Sequence, residues 1–167
     1  MFDSAVGTKT GIYASTDLQQ MQPVGSLCYD TVYQAFFRFL KNTGAALAAS
    51  LCATAPTTSK SSYYCELAAA TDALMNFAGV RVVGATSVTQ NYYAWLQVSG
   101  QASFLHSGGE ATVAEKGIVT SASVAGKVEG VADSADGAKG VIAIAEAAKT
   151  TLDEVTKGSI VRCVFAP

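Results

Sequence analysis

Turn punctuation constrains this chain more than any other feature. Turn-forming clusters recur at Pro23-Val24-Gly25, Asn42-Thr43-Gly44, Ala55-Pro56-Thr57, Ser99-Gly100, Ser107-Gly108-Gly109, Ala125-Gly126, Asp136-Gly137 and Lys157-Gly158. Residues of these types supply the special backbone angles and local hydrogen bonds that reverse a chain. The apolar runs between them are short and rich in aromatic and β-branched residues: Val32 to Leu40, Val80 to Val83, Tyr92 to Val98, Ile118 to Val119, Val141 to Ile144 and Ile160 to Phe165. Such runs suit a pleated, half-buried surface. The pattern predicts a mainly β protein, a small β-barrel or β-sandwich. In the last run Ile160, Arg162 and Val164 would face one way and Val161, Cys163 and Phe165 the other, which predicts a final strand covered on both faces.

One or two short helical turns are expected beside the strands. Glu66 to Phe77 carries good helix formers and stops before Gly79, and Thr151-Leu152-Asp153-Glu154 has the Thr-to-Glu spacing of a capping box. The Ala-rich stretch Ile142 to Lys149 fits either structure, and its first half is assigned to a strand because Val141, Ala143 and Ala145 alternate. Ala53 to Ser62, rich in Ser and Thr, reads as an exposed loop. Residues 1–20 have little periodicity and few apolar side chains, so they read as an extended N-terminal arm, with residues 21–167 as a single β-rich domain.

Charge narrows the function classes. Only 14% of the 167 residues are charged, and 11 Lys and Arg face 13 Asp and Glu. No cationic excess is available to neutralise phosphates, so a nucleic-acid partner is not expected. With 50% hydrophobic residues the chain is not of the disordered class. The start of the sequence lacks a basic-then-apolar leader, and the longest low-polarity stretch, Gly44 to Ala55, is too short to cross a bilayer as a helix. A soluble protein made in a cytoplasm, with no membrane partner, is the expectation.

The inventory of chemistry-bearing residues is thin. His106 is the only histidine and sits between Leu105 and the Ser107-Gly108-Gly109 turn, where a partly exposed turn residue is expected. A catalytic reading would make it the base for Ser107, but no Gly-x-Ser-x-Gly elbow is present. Asp133 with Asp136, and Asp153 with Glu154, lie near turns, where carboxylates face solvent or cap amides. Glycine-rich phosphate loops are absent. Cys28, Cys52, Cys65 and Cys163 lie far apart in apolar runs and read as buried thiols, not disulfides or metal ligands. No cofactor, metal or catalytic residue is assigned. The aromatic sets Tyr33, Phe36, Phe37, Phe39 and Tyr92, Tyr93, Trp95 read as core and cross-strand pairs, with a protein interface as their other use.

Gln90-Asn91-Tyr92-Tyr93-Ala94-Trp95-Leu96-Gln97-Val98-Ser99-Gly100-Gln101-Ala102 resembles a phrase of small β-rich structural proteins of tailed bacteriophages: an aromatic pair, a small residue and Trp, then an apolar-Gln-apolar strand and a Gly turn. Gly117-Ile118-Val119, Ala125-Gly126-Lys127-Val128, Lys139 to Ala147 and Ser159 to Phe165 continue the likeness, as do Pro23 to Ser26, Phe36 to Lys41 and Gly44 to Leu51 upstream. The chain thus resembles the head decoration, or cement, proteins. That resemblance implies a non-enzymatic virion module on the outer capsid surface, made in the bacterial host cytoplasm. It further implies that the module binds the phage major capsid protein and stabilises its lattice, and forms a homo-oligomer, with a trimer favoured. The alternatives are a tail, adaptor or fibre-base component, or, from His106 beside Ser107 and the aromatic cluster, a small-molecule-binding or hydrolytic β-barrel. Phe2, Ile12 and Tyr13 carry apolar side chains in an arm with no core of its own, and they are the expected capsid or subunit contacts.

Overall fold

The computed structural model describes residues 13–14, 23–56, 62–69, 76–81, 87–131 and 140–166. Twelve strands run through them: β1 (Tyr13–Ala14), β2 (Leu27–Asp30), β3 (Ala35–Asn42), β4 (Cys52–Thr54), β5 (Tyr64–Leu67), β6 (Phe77–Arg81), β7 (Tyr92–Gln97), β8 (Gly100–Leu105), β9 (Gly117–Thr120), β10 (Val128–Gly130), β11 (Ala143–Ala145) and β12 (Val155–Ile160). The mainly β expectation holds.

The strands build two closed barrels of one topology. In the N-terminal barrel the order is β3-β7-β6-β4-β5, every neighbouring pair antiparallel, and β5 returns to β3 in parallel through Lys41↔Tyr64 and Asn42↔Cys65. In the C-terminal barrel the order is β8-β12-β11-β9-β10, again antiparallel. It closes through the parallel bridge His106↔Val128, where Ser107 N–H donates to Val128 O at 2.8 Å. First strand to fifth, fifth to fourth, fourth to second, second to third, third back to first: the same circuit is run twice.

The irregular positions repeat as well. Leu47 and Val88 exchange both backbone bonds at 3.0 Å, and Thr112 and Lys149 do so at 2.9 and 3.2 Å. Ser50 and Glu115 both take positive φ, 61° and 63°, and donate to Arg81 O and Ala145 O. Asn91 and Asp153, φ 67° and 62°, donate to Asn42 O and His106 O. Ala68 N–H donates to Cys52 O as Val131 N–H does to Gly117 O.

Burial follows the strand faces. Leu40, Leu47, Ala53, Cys65, Ala94, Leu96 and Val98 form one apolar cluster with the N-terminal barrel's other buried residues. Ala102, Phe104, Ile118, Val128 and Ile142 fill the C-terminal barrel, and their cluster takes in Cys52, Ala68, Phe77 and Val80 from the first, which joins the barrels. Turn residue Gly126 (φ 73°) sits at this seam: it accepts from Cys52 N–H at 2.7 Å and donates to Ala68 O at 2.8 Å. The C-terminal tail returns, with Val164 N–H donating to Phe77 O at 2.9 Å and Phe165 packed on Tyr63.

Several expectations are corrected. No α-helix occurs among the described residues. Glu66 and Leu67 belong to β5 and Phe77 opens β6, while residues 70–75 lie outside the described residues. Thr151–Glu154 is a tight turn, with Glu154 N–H donating to Thr151 O at 3.2 Å; positive φ at Asp153 halts any right-handed progression before β12. The predicted final strand Ile160 to Phe165 is a tail, because the strand runs earlier, Val155–Ile160, through Lys157-Gly158 where a turn was expected. Ala53 and Thr54 are buried strand residues, so the Ser/Thr-rich loop starts later than predicted, and residues 57–61 lie outside the described residues.

Candidate functional site

His106 ends β8 fully buried, not partly exposed. Its Nδ1 accepts from Gly108 N–H at 3.0 Å, and its Nε2 lies 3.0 Å from Glu110 O, a pattern that fixes the neutral Nε2–H tautomer. Asn42, at the same place in the first barrel, does the same work: Oδ1 accepts from Gly44 N–H at 3.2 Å and Nδ2 donates to Ala45 O at 2.9 Å. His106 therefore pins the loop after its strand and has no ring nitrogen left for Ser107. The Ser107 hydroxyl donates to Glu129 Oε2 at 3.1 Å and accepts from Gly109 N–H at 3.1 Å, while Glu129 Oε1 accepts from Ala122 N–H at 3.0 Å. Ser107 and Glu129 are buried loop anchors, and the hydrolytic arrangement expected of a Ser–His pair is not formed.

The thiols are chemically quiet. All four are free, as expected, although Cys28 and Cys163 are only partly buried. Burial raises Cys52 far above the usual range and pushes Cys65 up to about 12, aided by Glu66, and Cys163 to about 12. Cys28 is raised less far, by burial and then by Asp30. Neutral thiols are weak nucleophiles and poor ligands. Asp153, expected to face solvent or cap amides at its turn, pairs with Lys127 at 2.6 Å, and Glu154 with Lys149 at 2.6 Å, a bond that lowers its pKa. Asp133 and Asp136 lie outside the described residues.

A cleft of about 170 Å³ opens between the barrels. Its lining includes Tyr33 from the β2–β3 turn, Arg81 and Gln97 from the first barrel, and Gln101, Ser103 and Lys157 from the second. The Gln97 amide donates to Ser99 O and Gln101 O, and the Gln101 amide donates to the Glu146 carboxylate. Arg81 is almost wholly buried, which lowers its pKa. Among the described residues the lining holds no histidine and no thiol; it is a polar, hydrogen-bonding notch. Sequence reading missed it because its residues meet only where two barrels are juxtaposed, and no local spacing signals that.

The aromatic runs divide by face. Phe37, Phe39, Tyr93 and Trp95 form a third buried cluster on the outer side of β3 and β7, with Phe39 stacked on Tyr93 at 5.7 Å and tilted to Trp95 at 5.3 Å. Around it the edge strand β2 and its turn leave Leu27, Tyr29, Val32 and Tyr33 exposed. Of the expected contact residues, Phe2 and Ile12 lie outside the described residues, and the Tyr13 backbone pairs with Tyr93 of the same chain.

No protein-family model matches the chain. No curated protein matches it. Among solved structures it is similar to the head fiber gp8.5 N base of bacteriophage phi29, with 11% identity and a TM-score of 0.45 over 76% of this chain and 94% of that one.

Proposed function

We propose that this chain is a structural virion protein of a tailed bacteriophage, without a catalytic role, that binds the outer surface of the capsid and braces the lattice of major capsid protein. The observation that carries this reading is the Gln90 to Ala102 phrase and its sequel. The architecture supports it. The phrase forms β7, which pairs with β1, β3 and β6, and then crosses into β8, so it is the joint of the double barrel. Two stiff barrels sharing a core give a small rigid brick whose exposed apolar side chains are free for contacts. Each bound copy stabilises the lattice by its own binding free energy, and many symmetric copies add through multivalency. The homo-oligomer, with a trimer favoured, belongs to the same reading.

Co-sedimentation with expanded capsids assembled from the cognate major capsid protein tests the proposal. Saturable binding at lattice stoichiometry is expected, and a chain that stays in the supernatant overturns it. A particle map separates the tail, adaptor or fibre-base alternative: copies covering the shell support decoration, whereas a few copies at one vertex support the alternative.

A further inference from the structure

We propose that the C-terminal tail, Val161 to Ala166, is a releasable strap that holds the two barrels as one stiff body, with Arg38 as its clasp. The tail starts where the last ladder stops. Ile160 is the final residue of β12, and both barrel circuits close without any residue that follows it. The tail nevertheless visits both barrels in turn. Val161 and Arg162 N–H both donate to Ile142 O, at 3.0 and 3.3 Å, just before β11. Cys163 then packs against the apolar clusters of both barrels. Val164 N–H donates to Phe77 O of β6 at 2.9 Å, and Phe165 is buried in the N-terminal cluster, its ring centroid 5.4 Å from that of Tyr63.

The far end is fastened as well as laid down. Arg38 Nε donates to Phe165 O at 2.7 Å and its Nη1 to Gly25 O at 2.7 Å, so one guanidinium ties the tail to the turn before β2. Hydrogen bonds from a charged donor are stronger than neutral ones. The same guanidinium lies 5.3 Å from the Tyr63 ring centroid, a cation–π contact. Tyr63 takes positive φ, 53°, which is uncommon for a bulky residue, and its ring fills the space over Gly25, where a Cβ would collide with it. Four segments far apart in sequence thus meet where the tail ends.

The hold is narrow enough to open. Val161, Arg162, Val164 and Ala166 are all exposed, and the tail is paired in no ladder. Segments with few buried contacts and exposed backbone bonds open below the free energy of global unfolding. Opening lifts Phe165 from Tyr63 and Val164 from Phe77, a residue on which the shared cluster is built. The seam bonds, Cys52 N–H to Gly126 O, Gly126 N–H to Ala68 O and Leu105 N–H to Ser50 O, then join the barrels without the strap. Neither barrel loses a ladder, so release loosens the joint and leaves each barrel closed.

The strap concerns the chain's own stiffness and is independent of capsid binding and of oligomeric state. Hydrogen exchange on the purified full chain, resolved by amide, tests it with two variants. Arg38→Met keeps the apolar stem and removes the clasp's donors; Val164→Pro removes the bond to Phe77 at an exposed position. In the wild type the Val161 and Val164 amides are expected to exchange about a hundredfold faster than the ladder amides of β7 and β12. Each variant is expected to speed the remaining tail amides and the seam amides of Cys52, Leu105 and Gly126 about tenfold, with the ladder amides within about twofold of wild type. Seam amides that stay at wild-type rates while the tail opens overturn the proposal, because the tail then couples nothing. Ladder amides that accelerate in step with the tail overturn it too, since the tail would be part of the global folding unit. Tail amides indifferent to Arg38→Met overturn the clasp. Circular dichroism confirms folding, and should Arg38→Met not fold, Val164→Pro decides between strap and integral tail.

Discussion

The two barrels share strand order, bridges and turn bonds, and they differ in what fills them and what is laid on their edges. Inside, Leu47 and Ala94 of the first correspond to Thr112 and Thr156 of the second, which bond to each other at 3.2 Å; Thr112 also donates to Ala147 O. Outside, β2 and β1 extend the first barrel, while among the described residues the second has no such added strand and leaves Val155 exposed. The difference teaches that backbone ladders and a few loop anchors carry the topology, whereas interior chemistry is exchangeable provided each buried polar group is paired.

The largest effect is expected where the twins differ in bulk. Gly130 pairs with Ile118 as Leu67 pairs with Ala53, but a methyl at Gly130 would run into the Ala111 carbonyl. Gly130→Leu should cost about 4 kcal/mol or more and lower the urea midpoint sharply, whereas Leu67→Gly in the half-buried twin should cost about half that. Equal costs would mean that the loop, not the strand, decides that position. Next comes the shared cluster. Phe77→Ala should cost about 3–5 kcal/mol and shift one cooperative transition seen by both fluorescence and circular dichroism. Two separated transitions would show that the barrels fold as independent units despite the common core.

Much of the fold was legible in the sequence, and the duplication was not. β3, β6, β7, β9 and β11 overlap runs of aromatic and branched residues, and Asn42-Thr43-Gly44, Ser99-Gly100 and Ala125-Gly126 interrupt or link strands as their residue types require. β12 escaped because Thr156, Gly158 and Ser159 have weak or turn-like preferences; pairing with β8 and β11 overrides them. The repeat escaped because its conserved content is backbone geometry. Asn42 and His106, Ser50 and Glu115, or Val88 and Lys149 share hydrogen bonds and no chemistry that a residue-by-residue comparison would align. For the same reason His106 read as a partly exposed turn residue, and it proves a buried loop anchor only beside Asn42. The inter-barrel cleft is a product of tertiary juxtaposition, for which no periodicity exists.

That equivalence is open to direct test. His106→Ala removes a fully buried ring together with its bonds to Gly108 N–H and Glu110 O and should cost about 2–3 kcal/mol. His106→Asn installs the side chain that performs this task in the first barrel and should recover about 1 kcal/mol of the loss, read from the same urea curves. An Asn variant no better than Ala would show that the imidazole's volume, not its two hydrogen bonds, is what the site needs.

The smallest effect concerns the thiols, which the duplication distributes unevenly: Cys65 bridges Asn42 in the first barrel where Val128 bridges His106 in the second. Burial raises Cys65 from 9.0 to about 12, so the folded state favours the neutral thiol. Its contribution is complete below the unfolded value and is lost as pH climbs from about 9 to about 12. Cys65→Val, copying the twin, should leave stability at pH 7 within about 0.5 kcal/mol and flatten the alkaline decline. A decline as steep as the wild type's would place the alkaline sensitivity on Cys52 or Cys163. Thiol labelling then separates these, since Cys28 should react in the native protein and the buried thiols only after unfolding.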